Sequence, residues 1–218
     1  SDVCSSDLPI SENLAAAIIL MSGWDKKTDL IDPMCGSGTF PIEAAMIAGN
    51  IAPGRNRKFN FETWLDFDSE LLERIKTEAE AQIVPIEAKI FARDIDKKAI
   101  SMSMSNAKRA GVRDAIRFEG KDFFETSYTE GKCFVFMNPP YDERMQLEKV
   151  ETFYDEIGSQ LKHHYEGCEA WIISSNFDAI KRFGLKPTKK IKLFNGSLEC
   201  RLLQYEMYGG SKKNKNDE

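Results

Sequence analysis

The chain has 218 residues, 42% hydrophobic and 30% charged, enough apolar material for one domain with a substantial core and too much for a disordered chain. Its longest apolar run, Leu14 to Met21, stops at Ser22-Gly23, well short of the roughly 20 residues of a bilayer span, and Ser1 to Leu8 lack the character of a secretory signal. These features exclude a membrane span and point to a cytoplasmic protein. Thirty Lys and Arg stand against 35 Asp and Glu, a net charge of -5, which argues against broad electrostatic binding to nucleic acid; such a partner has to be argued from a site. Cys4, Cys35, Cys133, Cys168 and Cys200 are scattered, with no C-x-x-C pair to hold zinc, and read as reduced, mostly buried thiols.

The elements alternate along the chain. Ser11 caps a helix through Leu14, Ile18 and Met21, and Gly23 ends it before a strand at Thr28 to Asp32. After a Gly-containing loop, Thr39 stands as a cap with Pro41 at the first helical position, and the helix runs to Gly49-Asn50. Residues 51–85 form an insert with Pro53-Gly54, aromatics and basic residues, then an amphipathic helix marked by Leu71, Leu72, Ile75 and Ala79. A strand at Lys89 to Ala92, a helix from Lys97 to Arg109 closed by Gly111, and strands at Ala115 to Phe118 and Cys133 to Met137 follow. The last third predicts a helix at Phe153 to His164, a strand at Ala170 to Ser174, a short helix at Asp178 to Phe183, and strands at Lys189 to Phe194 and Glu199 to Met207 joined as a hairpin by Asn195 to Leu198. Residues 209–218 read as a polar tail. Alternation of this kind implies an α/β fold with a mostly parallel sheet, helices on both faces and an antiparallel finish.

Ligands of such sheets bind at the carboxyl ends of the strands, beside the switch in strand order. Asp32-Pro33-Met34-Cys35-Gly36-Ser37-Gly38-Thr39 leaves the first strand with two glycines that let backbone approach a ligand. The third glycine of a dinucleotide fingerprint would fall on Pro41, and no P-loop lysine follows, so a pyrophosphate ligand is disfavoured. Asp32 suits a cationic group such as an amino-acid ammonium. Asp94, followed by Ile95, is placed to accept from ribose hydroxyls, with Asp96 able to share or replace it. Asp122 can accept from an adenine amino group, beside Phe123 for stacking.

Asn138-Pro139-Pro140-Tyr141 supplies the chemistry. An exocyclic amine on a nucleobase is a poor nucleophile, because its lone pair is delocalised into the ring. The Asn138 side-chain carbonyl and the Pro139 backbone carbonyl offer acceptors for its N–H groups, the prolines hold them rigid, and Tyr141 offers a face for the base. A methylsulfonium donor then needs in-line positioning and neither a strong base nor a metal. The base has to be presented unstacked, and Arg144 stands ready for a phosphate. Lys181, Arg182, Lys186, Lys189, Lys190 and Lys192 form a late basic cluster that reads either as a phosphate contact or as a solvated face. His163-His164 carries no metal spacing.

Taken in order, Asp32 to Thr39, Asp94, Asp122 and Asn138 to Tyr141 resemble the class I S-adenosylmethionine-dependent methyltransferases with an N-P-P-Y site. Pro9 to Trp24, Ile51-Ala52-Pro53-Gly54 with Phe59 to Trp64, and Asn195-Gly196 with Cys200 extend the resemblance, over Pro9 to Tyr208, to bacterial ribosomal RNA guanine-N2 methyltransferases that carry a THUMP domain. The resemblance implies a Rossmann-like class I methyltransferase fold with a seven-stranded, mostly parallel sheet and an antiparallel last hairpin. It implies S-adenosyl-L-methionine as cofactor: its methionine part on Asp32, Pro33, Cys35, Gly36, Gly38 and Thr39, its ribose on Asp94 with Ile95, its adenine on Asp122 with Phe123. It assigns the target amine to Asn138, Pro139, Pro140 and Tyr141, and RNA as partner. The THUMP domain expected upstream is absent from these 218 residues, and Ser1 to Leu8 do not resemble the family's linker. Asp142-Glu143-Arg144 stands where the family has Gly-Glu-Arg, adding a negative charge near the RNA entrance. N-P-P-Y by itself does not choose between guanine N2 and adenine N6, and a cofactor-binding RNA module without independent activity is a further alternative.

Overall fold

A computed structural model describes residues 10–140 and 147–208. The chain runs α1 (Glu12–Ser22), β1 (Asp29–Asp32), α2 (Thr39–Ala48), α3 (Ser69–Glu80), β2 (Ile90–Asp94), α4 (Lys97–Ala110), β3 (Ile116–Gly120), β4 (Cys133–Met137), α5 (Leu147–His164), β5 (Glu169–Ser174), α6 (Phe177–Ile180), β6 (Lys189–Asn195) and β7 (Leu198–Glu206). Seven strands form one sheet in the order β3-β2-β1-β4-β5-β7-β6. The first five are parallel, and β7 runs antiparallel to both β5 and β6.

The strands read as near-continuous apolar runs because both sheet faces are covered. Leu30, Ile90, Ala92, Phe136, Trp171 and Leu202 point to one face, where α1, α2 and α4 pack. Their alternate neighbours Ile31, Phe91, Val135, Ile172 and Leu203 point to the other, under α5 and α6. The connection after β1 therefore leaves over one face and that after β4 over the opposite face. Between these adjacent strands the carboxyl end of the sheet is left open.

Local chemistry sets the helix ends. Ser11 Oγ accepts from Leu14 N, and Asp96 caps α4 through Lys98 N at 2.8 Å. Gly23 and Gly111 close α1 and α4 in the left-handed conformation. The start of α2 differs from the sequence expectation: Gly38 is the cap, Thr39 is already helical, and Pro41 is the third helical residue. The first four helical N–H groups lack intrahelical partners, so proline's missing donor costs nothing there. The expected insert helix forms as α3, but it buries none of its residues and leaves Leu71 and Ile75 exposed.

The expectation of reduced cysteines is corrected in one place. Cys133 and Cys168 form a disulfide, 35 residues apart in sequence with Cα atoms 4.5 Å apart. The register that sets Phe134 beside Glu169 brings them together, a proximity that spacing in the chain does not reveal. Cys35 and Cys200 are buried free thiols.

Glu43 of α2 is half-buried, and its carboxyl is pushed from an ordinary value near 4.5 up to about 7, mainly by burial and secondarily by Glu12. The folded state then binds the proton more tightly than the unfolded chain, so stability falls as pH rises from about 4.5 to 7. Glu43→Gln should raise stability at pH 8 by on the order of 1 kcal/mol after solvent screening, with the difference vanishing below pH 4.5, as read by denaturant melts across pH.

Candidate active site at the carboxyl end of the sheet

A cavity of about 720 Å³ opens at this end, within the usual range for small-molecule sites. Four successive loops wall it: Asp32 to Thr39 after β1, Asp94 to Asp96 after β2, Asp122 to Phe124 after β3, and Asn138 to Pro140 after β4. The residues expected from sequence thus converge on one cleft. Gly38 lies just behind the wall, and Tyr141 and Arg144 lie outside the described residues.

The first loop is held by its backbone. Cys35 N donates to Arg93 O at 2.8 Å, and Gly38 N to Cys35 O at 2.7 Å. Asn106 of α4 reaches across to donate to Ser37 O at 2.8 Å. The two glycines serve different ends. Gly38 has φ +83°, and a Cβ there would lie 1.9 Å from Ser103 Oγ, so the position requires both a left-handed backbone and close helix packing. Gly36 has φ +51°, and a Cβ there would meet nothing within 4 Å, which leaves the backbone bare toward open space.

The carboxylates differ in setting. Asp32 is only 2% exposed and accepts from Met34 N at 3.2 Å. Burial, reinforced by the nearby Asp94 charge, pushes its carboxyl well above the usual range. Asp94 takes Gly36 N on one oxygen and Asp96 N on the other, both at 2.9 Å, which fixes the carboxylate at the loop junction with acceptor capacity remaining. Asp96 is committed to capping α4 and is exposed, which leaves Asp94 better placed for a ribose. Asp122 caps a short 3-10 turn through Phe124 N at 3.0 Å. Buried Gln160 of α5 donates to Phe123 O at 3.0 Å and Thr126 O at 2.6 Å, pinning this wall.

Burial and the neighbouring carboxylates Asp32 and Asp94 push the Cys35 thiol far up, so it stays protonated and is no nucleophile. Phe123 is 2% exposed and packs on Phe124 and Tyr165, while Phe124 is the less buried ring on the cleft. Ile95 stands 70% exposed at the rim, an apolar surface a planar ligand would cover. Sequence reading missed Ile10, Met34, Lys98, Ala99, Met102, Phe124 and Phe153, all of which line the cleft. The spacing of Lys98, Ala99 and Met102 on one face of α4 was a usable signal; Ile10 and Phe153 arrive through tertiary packing alone. Among the described residues no cluster of three metal-ligating side chains occurs, and no helix is long and apolar enough to cross a membrane.

Comparison with known proteins agrees with this geometry. The family model described as RMKL-like, methyltransferase domain matches residues 3–204. The chain belongs to that family. Ribosomal RNA large subunit methyltransferase K/L of Aliivibrio fischeri (strain MJ11) is 41% identical over 200 residues, covering 88% of this chain and 28% of that protein. The chain thus spans under a third of the length of the curated relatives it matches. The structure of SMU.472 complexed with SAH is 38% identical with a TM-score of 0.85, over 94% of this chain and 54% of that one. A predicted N6-adenine-specific DNA methylase from Listeria monocytogenes str. 4b F2365 is 34% identical with a TM-score of 0.82, over 94% of this chain and 53% of that one.

In this RMKL-like methyltransferase domain the Gly38–Ser103 contact carries the loop. Gly38→Ala should destabilise by about 3 kcal/mol, the sum of overpacking and left-handed strain, lowering Tm by roughly 6–12 °C. Adding Ser103→Gly removes the two closest contacts, so the double variant should lose less than the two singles together in a thermal-melt cycle.

Proposed function

We propose that this domain binds S-adenosylmethionine in the cleft and methylates the exocyclic N2 amine of a guanine in RNA, most specifically large-subunit ribosomal RNA. The observation that carries the reading is the convergence of Asp32, Asp94, Asp122 and Asn138-Pro139-Pro140 on one cavity at the switch in strand order. The residues fit that cofactor. Asp32 is a buried carboxylate that a cationic amino group would compensate. Gly36 leaves room for a ligand against the backbone, Asp94 is fixed for vicinal hydroxyls, and Asp122 stands beside half-buried Phe124 for a purine. The name of the Aliivibrio relative supports ribosomal RNA as the target, and the SMU.472 complex supports the cofactor.

The bound cofactor would supply an electrophilic methyl on a positively charged sulfur, whose bond electrons return to sulfur as the methyl departs. Asn138 and Pro139 line the same cleft as the carboxylates. Their carbonyls accept from the two N–H groups of the amine, favouring the positive charge that grows on nitrogen as the new N–C bond forms. The surplus proton leaves to water. Buried Pro139 and its neighbour Pro140 restrict the backbone, so these acceptors are set before the base arrives. A second reading, adenine N6 as target, is favoured by the Listeria neighbour's description and uses the same acceptors.

S-adenosylhomocysteine at 100 times its Kd should stabilise the chain by about 2.7 kcal/mol, or roughly 5–10 °C, and Asp94→Ala should abolish that shift. Burial favours the protonated form of Asp32 and an ammonium beside it favours the ionised form, so binding should release protons. Affinity should therefore rise with pH across the titration of Asp32, and Asp32→Asn should bind more weakly with a flattened profile, as read by calorimetry in buffers of different ionisation enthalpy.

Asn138→Ala should keep cofactor binding and lower methyl transfer to unmodified ribosomal RNA about 100- to 1000-fold. Digestion of the product to nucleosides should yield N2-methylguanosine; N6-methyladenosine would establish the second reading, and parental rates in Asn138→Ala would remove the site from the reaction.

A further inference from the structure

The late hairpin carries a surface that the cleft does not use. β7 runs antiparallel to β5 with Arg201 opposite Ser174, and β6 continues outward with Lys192 opposite Arg201 and Phe194 opposite Glu199. The strand start of β7 and the end of β6 thus lie at the carboxyl end of β5, the same end as Asn138. Neighbouring strands are about 4.8 Å apart, so β7 stands roughly 10 Å and β6 roughly 15 Å from β4.

Two aromatic–cation pairs occupy this end. The Arg201 guanidinium lies 4.8 Å from the centre of the Phe177 ring, and Lys192 Nζ lies 5.2 Å from that of Phe194. Glu199 ties them together, with Lys192 at 2.5 Å and Arg201 at 2.7 Å. Each ring still stands open, Phe177 at 39% and Phe194 at 55% exposure. Exposed Lys190 shares this strand face by the alternation of β6, so three cations meet one carboxylate on a chain of net charge -5. Of the rest of the late basic cluster, Lys181 pairs with Asp178, Arg182 with Glu151, and Lys189 lies over Trp171.

We propose that Phe177 and Phe194, with Arg201 and Lys192, form a stacking platform for unpaired nucleotides of the RNA that flank the target base. Single-stranded nucleic acid is bound by this combination of open aromatic rings and interleaved cations, and the pairing requires no base-specific contact. A base extruded into the cleft leaves its neighbours without a stacking partner, and the platform stands one to three strands beyond the acceptors that would hold that base. The proposal rests on the RNA reading above and adds the surface that grips the substrate.

The test is the Kd of the full chain for a fluorescein-labelled single-stranded RNA of about 15 nucleotides, measured against salt. Phe177→Ala and Phe194→Ala should each weaken binding by about 5- to 100-fold, Phe→Trp at either position should restore it, and Lys192→Gln should reduce the salt slope by a little under one. The thermal shift with S-adenosylhomocysteine should be unchanged in all of them. A parental Kd in the double alanine variant, or a change in sedimentation of the free protein in place of a change in RNA affinity, overturns the platform while the cofactor shift and Asn138-dependent transfer still judge the enzyme reading. Absence of any RNA binding by the parent also overturns it.

Discussion

The architecture turns on one topological constraint: β1 and β4 lie side by side and parallel, yet their outgoing connections cross opposite faces of the sheet. The carboxyl end is consequently left open between them, and every loop that emerges nearby delivers its side chains to the same space. The loops at this end are held in place because the sheet itself is buried on both faces. Trp171, Leu30, Ile31, Val135 and Phe136 at the centre of the sheet are fully buried, so the strand ends that carry Asp32 and Asn138 are fixed by core packing.

Against that rigid frame, the cleft is electrostatically incomplete. Among the described residues no cation pairs with buried Asp32, and Asp94 adds a second carboxylate whose charge is felt by both Asp32 and Cys35. A structural carboxylate in a core is ordinarily paired. Elsewhere this chain follows the rule: buried Arg93 meets Glu119 at 2.6 Å and lies over Phe91. The contrast sets Arg93, ion-paired and holding the fold, apart from Asp32 at the end of the neighbouring strand, which fits the proposed cationic group.

Much of this was legible in the sequence, for identifiable reasons. Strand positions followed from β-branched and aromatic runs bounded by Gly, Pro and Asp, and Cys133 to Met137 matches its strand end for end. Asp32, Asp94, Asp122 and Asn138 were found because each ends a strand or follows directly, and chain order then fixes which loop faces the cleft. Long-range proximity was not legible. Nothing local joins Cys133 to Cys168, places Phe153 on the cleft, or shows that Gly38 needs its missing Cβ because Ser103 of another helix stands there. The misplaced α2 cap has the same origin: Thr39 has the side chain of a cap, but the tight approach to α4 hands the position to Gly38. Phe123 and Phe124 show the limit within a single dipeptide, since only packing against Tyr165 decides which ring turns inward.

The late hairpin shows why exposure has to be weighed with position. The insert also exposes apolar residues, among them Trp64, Leu65 and Ile75, but they lie on a connection that buries little and is not part of the sheet. On β6 and β7 the antiparallel register itself sets Phe194 among Lys192, Glu199 and Arg201, because residues two apart on one strand share a face with their cross-strand partners, and Phe177 of α6 then meets Arg201. Reversing the last strand also has a geometric consequence: it turns the hairpin's loop back toward the carboxyl end, where Asn195 Oδ1 accepts from Ser11 N at 3.2 Å and anchors the segment next to Ile10 of the cleft. A parallel seventh strand would have placed its loop at the far end. The antiparallel finish therefore brings a second surface to the working end of the sheet, and the two are joined through the same backbone that forms the cleft.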